Sequence, residues 1–383
     1  MPFEPIAARA PRRSHVLVQD GVRLREETFG SLVYSPEVDR FAALDPDHTA
    51  LIRAAIARRD DVDDDLWPLA EGKRTGVLRK ALISADPLVV NVFATALCPL
   101  RCRYCHADDL MAPFRAGESD ADLDGVIATA TAVPAMTAVV TGGDPILNPD
   151  RTERLIKALS PAKAIVVDSS GAGDVTPLLR VLKEVRGHLR VSLDSAAAPL
   201  HDRLRPINPG LLPRGSSSHA LAWATIAHAL AADVPTTVQT VVSSLTEDAK
   251  GLLTLAERLA AAGVRNWVLH VAVPAGKAAL PRNQHLLPSN GVREMLGHVL
   301  ERLAAGEQFR RLRVRITTTH LNPNAVLLVG SRGDLYVETG SGGKKRITGP
   351  TDDAVAVARL FRRHVDRRAH ADRYLGGISP AAG

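Results

Sequence analysis

The chain has 383 residues, 45% apolar and 23% charged, with a formal net charge of +6. That length holds one large core or two smaller ones. The mild charge, with no basic run interleaved with aromatics, argues against nucleic acid as a partner. With neither a basic-then-apolar leader nor a run of membrane-spanning length, the expectation is a globular cytoplasmic protein with no membrane partner.

In chain order, residues 1–14 read as a loose leader. Three strand-like runs follow, "HVLVQ" (15–19), "VRLREE" (22–27) and "SLVYS" (31–35), with Gly21 and Gly30 as turn residues. A helix is expected over about 45–59, capped by Asp45 or Asp47, with Pro46 in its first turn. "RRDDVDDDLWP" reads as a charged surface loop, and a short helix near 70–83 completes a first module. After Pro87, short apolar strands alternate with helices. Strands are expected at 88–95, 136–142, 162–170, 189–194, 235–243, 266–273 and 313–319. Helices are expected at 120–132, 150–159, 175–186, 216–232, 246–262 and 289–306. Such alternation implies βαβ units on a parallel sheet, and six or seven units fit a full or partial barrel. Residues 324–348 read as a small β element and 352–368 as a last amphipathic helix.

All three cysteines fall in "CPLRCRYC", at Cys98, Cys102 and Cys105, directly after the strand at 88–95. In a cytosolic chain, clustered cysteines are more often catalytic or metal-binding than disulfide-bonded. Three thiolates on a tight loop suit three irons of a cubane cluster, whose complete protein ligation takes four. With no fourth cysteine, one iron stays open for an exogenous ligand, the logic of an open catalytic metal position. Zinc with His106 as fourth ligand is the competing metal reading, although zinc sites usually draw ligand pairs from two separated segments. Three unligated thiols are the plain alternative.

The Cys98-x3-Cys102-x2-Cys105 spacing, with Tyr104 before the last cysteine, resembles the signature of the radical S-adenosylmethionine (SAM) enzymes. The resemblance implies a [4Fe–4S] cluster on the three cysteines, with the methionine end of SAM on the open iron. It implies reductive cleavage of SAM to a 5′-deoxyadenosyl radical, which takes hydrogen from a substrate, and an external electron donor of flavodoxin or ferredoxin type. "TGGDP" (141–145) is similar to the family's glycine-rich SAM motif, so Gly142, Gly143, Asp144 and Pro145 are expected at the methionine end. A bare turn is the alternative there. "VDSSG" (167–171) ends the third strand, where the family places polar residues near the ribose or carboxylate. That offers Ser169 and Ser170, with strand-end capping as the alternative. "VSLDS" (191–195) and "HDRLR" (201–205) resemble the next strand and loop. Ser192 and Asp194 then share a face toward the barrel mouth, and Arg203 or Arg205 can pair with a carboxylate. Gln239 and "VLHVAVPAG" (268–276) are expected on the adenine side, with His270 packed in its strand. No residue is singled out as catalytic acid, base or nucleophile.

"VRLREETFGSLVYSPEVDRFAALD" is similar to the small peptide-recognition domain of ribosomal-peptide biosynthesis, of the type found in the peptide chaperone of pyrroloquinoline quinone synthesis. That resemblance implies three strands and three helices that capture a leader peptide as an added strand. The expected fold class is therefore α/β: a partial (β/α)6 TIM-like barrel with a small N-terminal α+β winged-helix-like module. The expected divisions are 1–85, 86–320 and 321–383. Residues 320–383 contain no cysteine, unlike the cysteine-rich extensions of many peptide-modifying relatives. That favours redox-neutral chemistry and leaves no spare thiol as hydrogen donor; a tyrosine such as Tyr336 is the substitute. The substrate is expected to be a ribosomally made peptide, with a small metabolite or a non-enzymatic iron–sulfur adaptor as alternatives.

Overall fold

The computed structural model describes residues 15–17, 21–58, 86–111, 118–317, 324–339 and 343–375, arranged around two sheets. The smaller sheet is antiparallel, in the order β1 (His15–Leu17), β2 (Arg23–Glu27), β3 (Gly30–Ser35), β4 (Arg40–Leu44). It has one strand more than the three expected. "RFAAL" is apolar at four of its five positions and lacks the alternation that marks a strand. Asp39, at φ 50°, turns the chain into β4. The helix Pro46–Arg58 follows, its first turn held by Asp45, which accepts from His48 N at 2.9 Å. The helix expected near 70–83 lies outside the described residues.

The larger sheet has ten strands in the order β11-β10-β9-β8-β7-β6-β5-β12-β13-β14. Seven successive parallel strands form its main part: β5 (Val89–Thr95), β6 (Thr137–Gly142), β7 (Ala164–Ser169), β8 (His188–Ser192), β9 (Thr236–Val242), β10 (Asn266–Val271) and β11 (Arg313–Thr317). This is a partial barrel, and its seven strands fall at the seven places expected. β12 (Leu327–Val329) adds in parallel to the free edge of β5, and β13 (Leu335–Glu338) with β14 (Lys344–Thr348) continues it as a hairpin. The expected small β element is thus part of the barrel sheet. The order ends at β11 on one side and β14 on the other, so the sheet is open rather than closed.

Strand periodicity sorts the residues. Val90, Val92, Val140, Val167, Val191, Val238, Leu269 and Val314 face the helices and belong to one core. The alternate positions face inward and are polar: Asn91, Thr141, Asp168, Arg190, Ser192, Gln239, His270 and Arg315 line a common chamber. The expected last helix is two, Ala354–His364 and Arg367–Leu375. Asp366 breaks it by capping the second, accepting from Arg368 N and Ala369 N at 3.0 Å each. Among the described residues, no helix is long and apolar enough to cross a membrane.

The small sheet closes the N-terminal end of the barrel strands. Leu32, Tyr34 and Phe41 share a core with Leu88, Val89, Met136, Val139, Ala164 and Val166. Polar ties ring that core. Arg25 donates to Pro87 O at 2.8 Å, Arg23 to Ser160 O at 2.5 Å, and Asn266 Nδ2 to Glu37 O at 3.0 Å. The helix Arg367–Leu375 joins the same floor. His370 Nε2 accepts from Leu88 N at 2.9 Å and its Nδ1 meets Ala325 O at 2.7 Å.

Candidate functional site

The cysteine loop leaves β5 at its C-terminal end, the end where barrels of this kind build their sites. Glu118 clamps the exit, accepting from Thr95 Oγ1 at 2.7 Å and Ala96 N at 2.5 Å. Residues 204–208 stitch the loop like a short strand. Arg101 N donates to Pro206 O at 2.8 Å, Arg103 N to Leu204 O at 3.0 Å, and Asn208 N to Pro99 O at 2.7 Å. Gly276 comes so close behind Cys105 that a Cβ there would lie 2.3 Å from the Cys105 carbonyl oxygen. His106 Nε2 is against Glu338 of β13, and Lys344 pairs with Asp109 at 3.0 Å. The three thiols are free and all line the chamber.

The glycine-rich turn is docked on this loop by backbone. Gly143 N donates to Thr95 O and Asp144 N to Leu97 O, both at 2.7 Å. A Cβ on Gly143 would sit 1.7 Å from Leu97 O, and one on Gly142 2.2 Å from Thr95 O. The glycines are therefore required by the contact between the two loops. Gly143 reaches the chamber, and Gly142 lines a smaller pocket beside the cysteines. Asp144 faces the other way. It is buried and accepts from Ser169 Oγ at 2.8 Å, Ser170 N at 2.8 Å, Ser170 Oγ at 2.5 Å and Ile146 N at 3.2 Å. Its carboxylate is engaged by these four hydrogen bonds from its own chain. Pro145 is buried too, its carbonyl taken by Thr152 Oγ1 at 2.8 Å. Asp144 and Pro145, expected at the methionine end, hold the turn from behind in this structure and are not part of the chamber lining.

Asp194 is engaged in the same way. It is buried, accepts from Arg205 Nε at 2.7 Å and Val241 N at 2.9 Å, and takes the Tyr104 hydroxyl hydrogen bond. Burial pushes its carboxyl up, but the adjacent Arg205 guanidinium outweighs burial and holds it below the usual range. Arg205 Cζ lies 5.4 Å from the Tyr104 ring centroid, and its Nη1 is 4.0 Å from Cys102 Sγ. Asp194, Arg205 and Tyr104 thus join β8 and the helix Ala198–Leu204 to the cysteine loop. Tyr104, Ser170, Ser192 and Gln239 all line the chamber. Arg203 and Tyr336 do not; the Tyr336 hydroxyl meets Asp334 at 3.4 Å on the hairpin.

The chamber, about 420 Å³, runs from the cysteines to the small sheet, where Tyr34, Asp39 and Phe41 form its floor. Asp39 is clasped by Arg190 through Nε and Nη2, each at 2.7 Å, and receives the Tyr34 hydroxyl at 3.0 Å. Burial opposes its charge, yet Arg190 and its neighbours hold its carboxyl far below the usual range. His270 faces the chamber against Thr317 Oγ1 at 2.7 Å, with burial and the nearby Arg315 holding it down to about 3. Sequence reasoning missed Asp39, Arg190, Arg315 and Arg373. The signal was present in "RVRIT", where arginines alternate with apolar residues on a strand whose other face is core.

The donor set fits an iron–sulfur cluster better than a single ion. Among the described residues, no set of three His, Cys, Asp or Glu side chains could hold one metal ion, and His106 is engaged by Glu338. A cubane needs no such convergence, because each thiolate meets a different iron. Burial pushes the Cys98 and Cys105 thiols up and the Cys102 thiol up to about 11. A half-buried, thiol-only donor set of this kind becomes thiolate when a metal supplies the positive charge.

No protein-family model and no curated protein sequence matches the chain. Solved structures do match its architecture. SuiB of Streptococcus suis bound to S-adenosylmethionine superposes with a TM-score of 0.59 at 11% identity, over 93% of this chain and 89% of that one. SuiB bound to the precursor peptide SuiA gives 0.57 at 11%, over 93% and 90%. anSMEcpe with bound AdoMet and the Kp18Cys peptide gives 0.57 at 14%, over 76% and 89%. This chain has the radical SAM fold. At these identities the likeness is one of architecture, and within the radical SAM fold the cysteine loop of this chain follows the first of the seven parallel barrel strands.

Proposed function

We propose that the protein is a radical SAM enzyme acting on a peptide. The observation that carries this reading is the placement of Cys98, Cys102 and Cys105 together on the wall of a chamber enclosed by a radical SAM sheet. Cys98, Cys102 and Cys105 would hold a [4Fe–4S] cluster. Cluster and SAM, when bound, supply reductive cleavage to a 5′-deoxyadenosyl radical, with the electron coming from a flavodoxin- or ferredoxin-type donor in the cytoplasm. Gly143 lets its backbone approach the methionine end of SAM, while Ser170, Ser192 and Gln239 offer polar contacts to the ribose and adenine. Tyr104 and Arg205 orient the loop through Asp194. Tyr34 and Phe41 close the floor against water. The peptides bound by SuiB and anSMEcpe support a peptide substrate. The charged floor, with Asp39, Asp168, Arg190 and Arg315 facing inward, favours a second reading, a small polar metabolite held inside the barrel.

The test is anaerobic reconstitution with iron and sulfide, reduction, and assay for 5′-deoxyadenosine from SAM. The wild type is expected to form it, and Cys98→Ala, Cys102→Ala and Cys105→Ala each to lose both the cluster absorbance and the product. A single-cysteine variant that keeps cluster and activity would overturn the ligand assignment. A loaded wild type that makes no 5′-deoxyadenosine would leave an iron–sulfur adaptor.

A further inference from the structure

The chamber has a second end of different chemistry. On its floor side three guanidinium groups, Arg190, Arg315 and Arg373, face two carboxylates, Asp39 and Asp168. Arg190 is spent on both: it clasps Asp39 at 2.7 Å twice and reaches Asp168 at 3.4 Å. Arg315 keeps only long contacts to the already paired Asp39, 3.5 Å to its carbonyl and 3.9 Å to its carboxylate. The Arg315 Nε is buried with no partner. Arg373 projects from the helix Arg367–Leu375 beside Tyr374 and has no hydrogen-bond or ion-pair partner among the described residues. The other charged lining residue, Arg205, is neutralised by Asp194 at 2.7 Å, and no lysine lines the chamber.

Along the chamber lining three cations stand against two anions, and the carboxylate outside the lining that acts on Arg373, Glu338, is already engaged by His106. Burying a guanidinium without a close counter-ion, as at Arg315, is costly, and the planar fork matches a carboxylate; Arg373 beside it is half-buried. We infer that Arg315 and Arg373 form a seat for a single carboxylate group of the substrate on the floor side of the chamber. Calling the occupant a substrate rests on the proposed enzyme reading; the seat itself does not. His270, kept neutral by burial and the surrounding arginines, supplies no competing charge. A substrate seated there presents its other end toward the cysteine loop.

The test is thermal melting of the reconstituted full chain with N-acetyl-aspartate amide, which carries one carboxylate, against N-acetyl-asparagine amide, which carries none. A short capped peptide containing one aspartate is run beside its asparagine counterpart. At least one carboxylate compound is expected to raise the melting temperature while its amide does not. Arg373→Gln and Arg315→Met are expected to weaken the apparent affinity about tenfold or more, the loss of a charge-assisted bond. Arg373→Lys, which keeps the charge, retains most of it. Arg373 has no hydrogen bond to lose, and the melting temperature of each variant without compound checks that it folds. A response to the small compound alone assigns the seat to a metabolite, and a response to the peptide alone assigns it to a side chain of a peptide. Equal shifts with acid and amide, no shift with any compound, or an undiminished response in Arg373→Gln overturns the seat. Formation of 5′-deoxyadenosine, assayed separately, reports on the enzyme reading, so either can fail alone.

Discussion

At the scale of single residues, the glycine-rich turn shows how a motif can be legible while its geometry is not. "TGGDP" named Gly142, Gly143, Asp144 and Pro145 as a group, but only the glycines reach a pocket wall. The sequence carries the turn; which side of it faces inward is set by Ser169 and Ser170, 25 and 26 residues further on. Asp144→Ala strands several buried donors at about 1–3 kcal/mol each. It is expected to lower stability in urea unfolding by about 3 kcal/mol or more, with Asp144→Asn milder. A normal unfolding midpoint with a raised KM for SAM would instead make Asp144 a SAM contact. Gly143→Ala forces a Cβ into the Leu97 carbonyl at 1.7 Å. It is expected to exceed the ~1–3 kcal/mol of ordinary overpacking and to impair cluster loading, read by absorbance.

At the scale of elements, alternation of apolar strands with helices located all seven parallel strands to within a few residues, because each buries one face under helices and that pattern is local. What alternation could not show is pairing. β12 seeks the edge of β5 across more than 200 residues, and residues 204–208 lace the cysteine loop by backbone bonds that carry no side-chain signature. The Arg205–Asp194 pair sits at that lacing. Arg205→Met leaves a buried carboxylate unpaired and is expected to cost about 3–5 kcal/mol in chemical denaturation. Asp194→Asn added to Arg205→Met is expected to restore part of the loss, because it removes the stranded charge. A double variant no more stable than Arg205→Met would show that the pair acts through packing alone.

At the scale of the whole molecule, four buried histidines are held neutral, and three of them, His188, His270 and His370, tie distant segments. His370 must accept from Leu88 N, so its Nε2 cannot carry a proton, and burial holds it down to about 4. Burial likewise holds His188 and His201 down to about 4 and His270 to about 3. An unfolded histidine protonates near 6.5, so below that pH the unfolded chain binds more protons than the folded one. Stability is full above about pH 6.5 and falls as pH drops toward 4, with each histidine adding up to about 1.4 kcal/mol per pH unit. Urea midpoints between pH 7.5 and 5 are expected to fall steeply, and His370→Gln to flatten the slope by about one proton. An unchanged slope in that variant would remove His370 from the set. The floor salt bridge from Asp39 to Arg190 spans 151 residues and makes the first sheet part of the chamber wall. Swapping this module for that of a relative would here bare Arg190 and reshape the chamber. The first sheet and the barrel of this chain have to be inherited together.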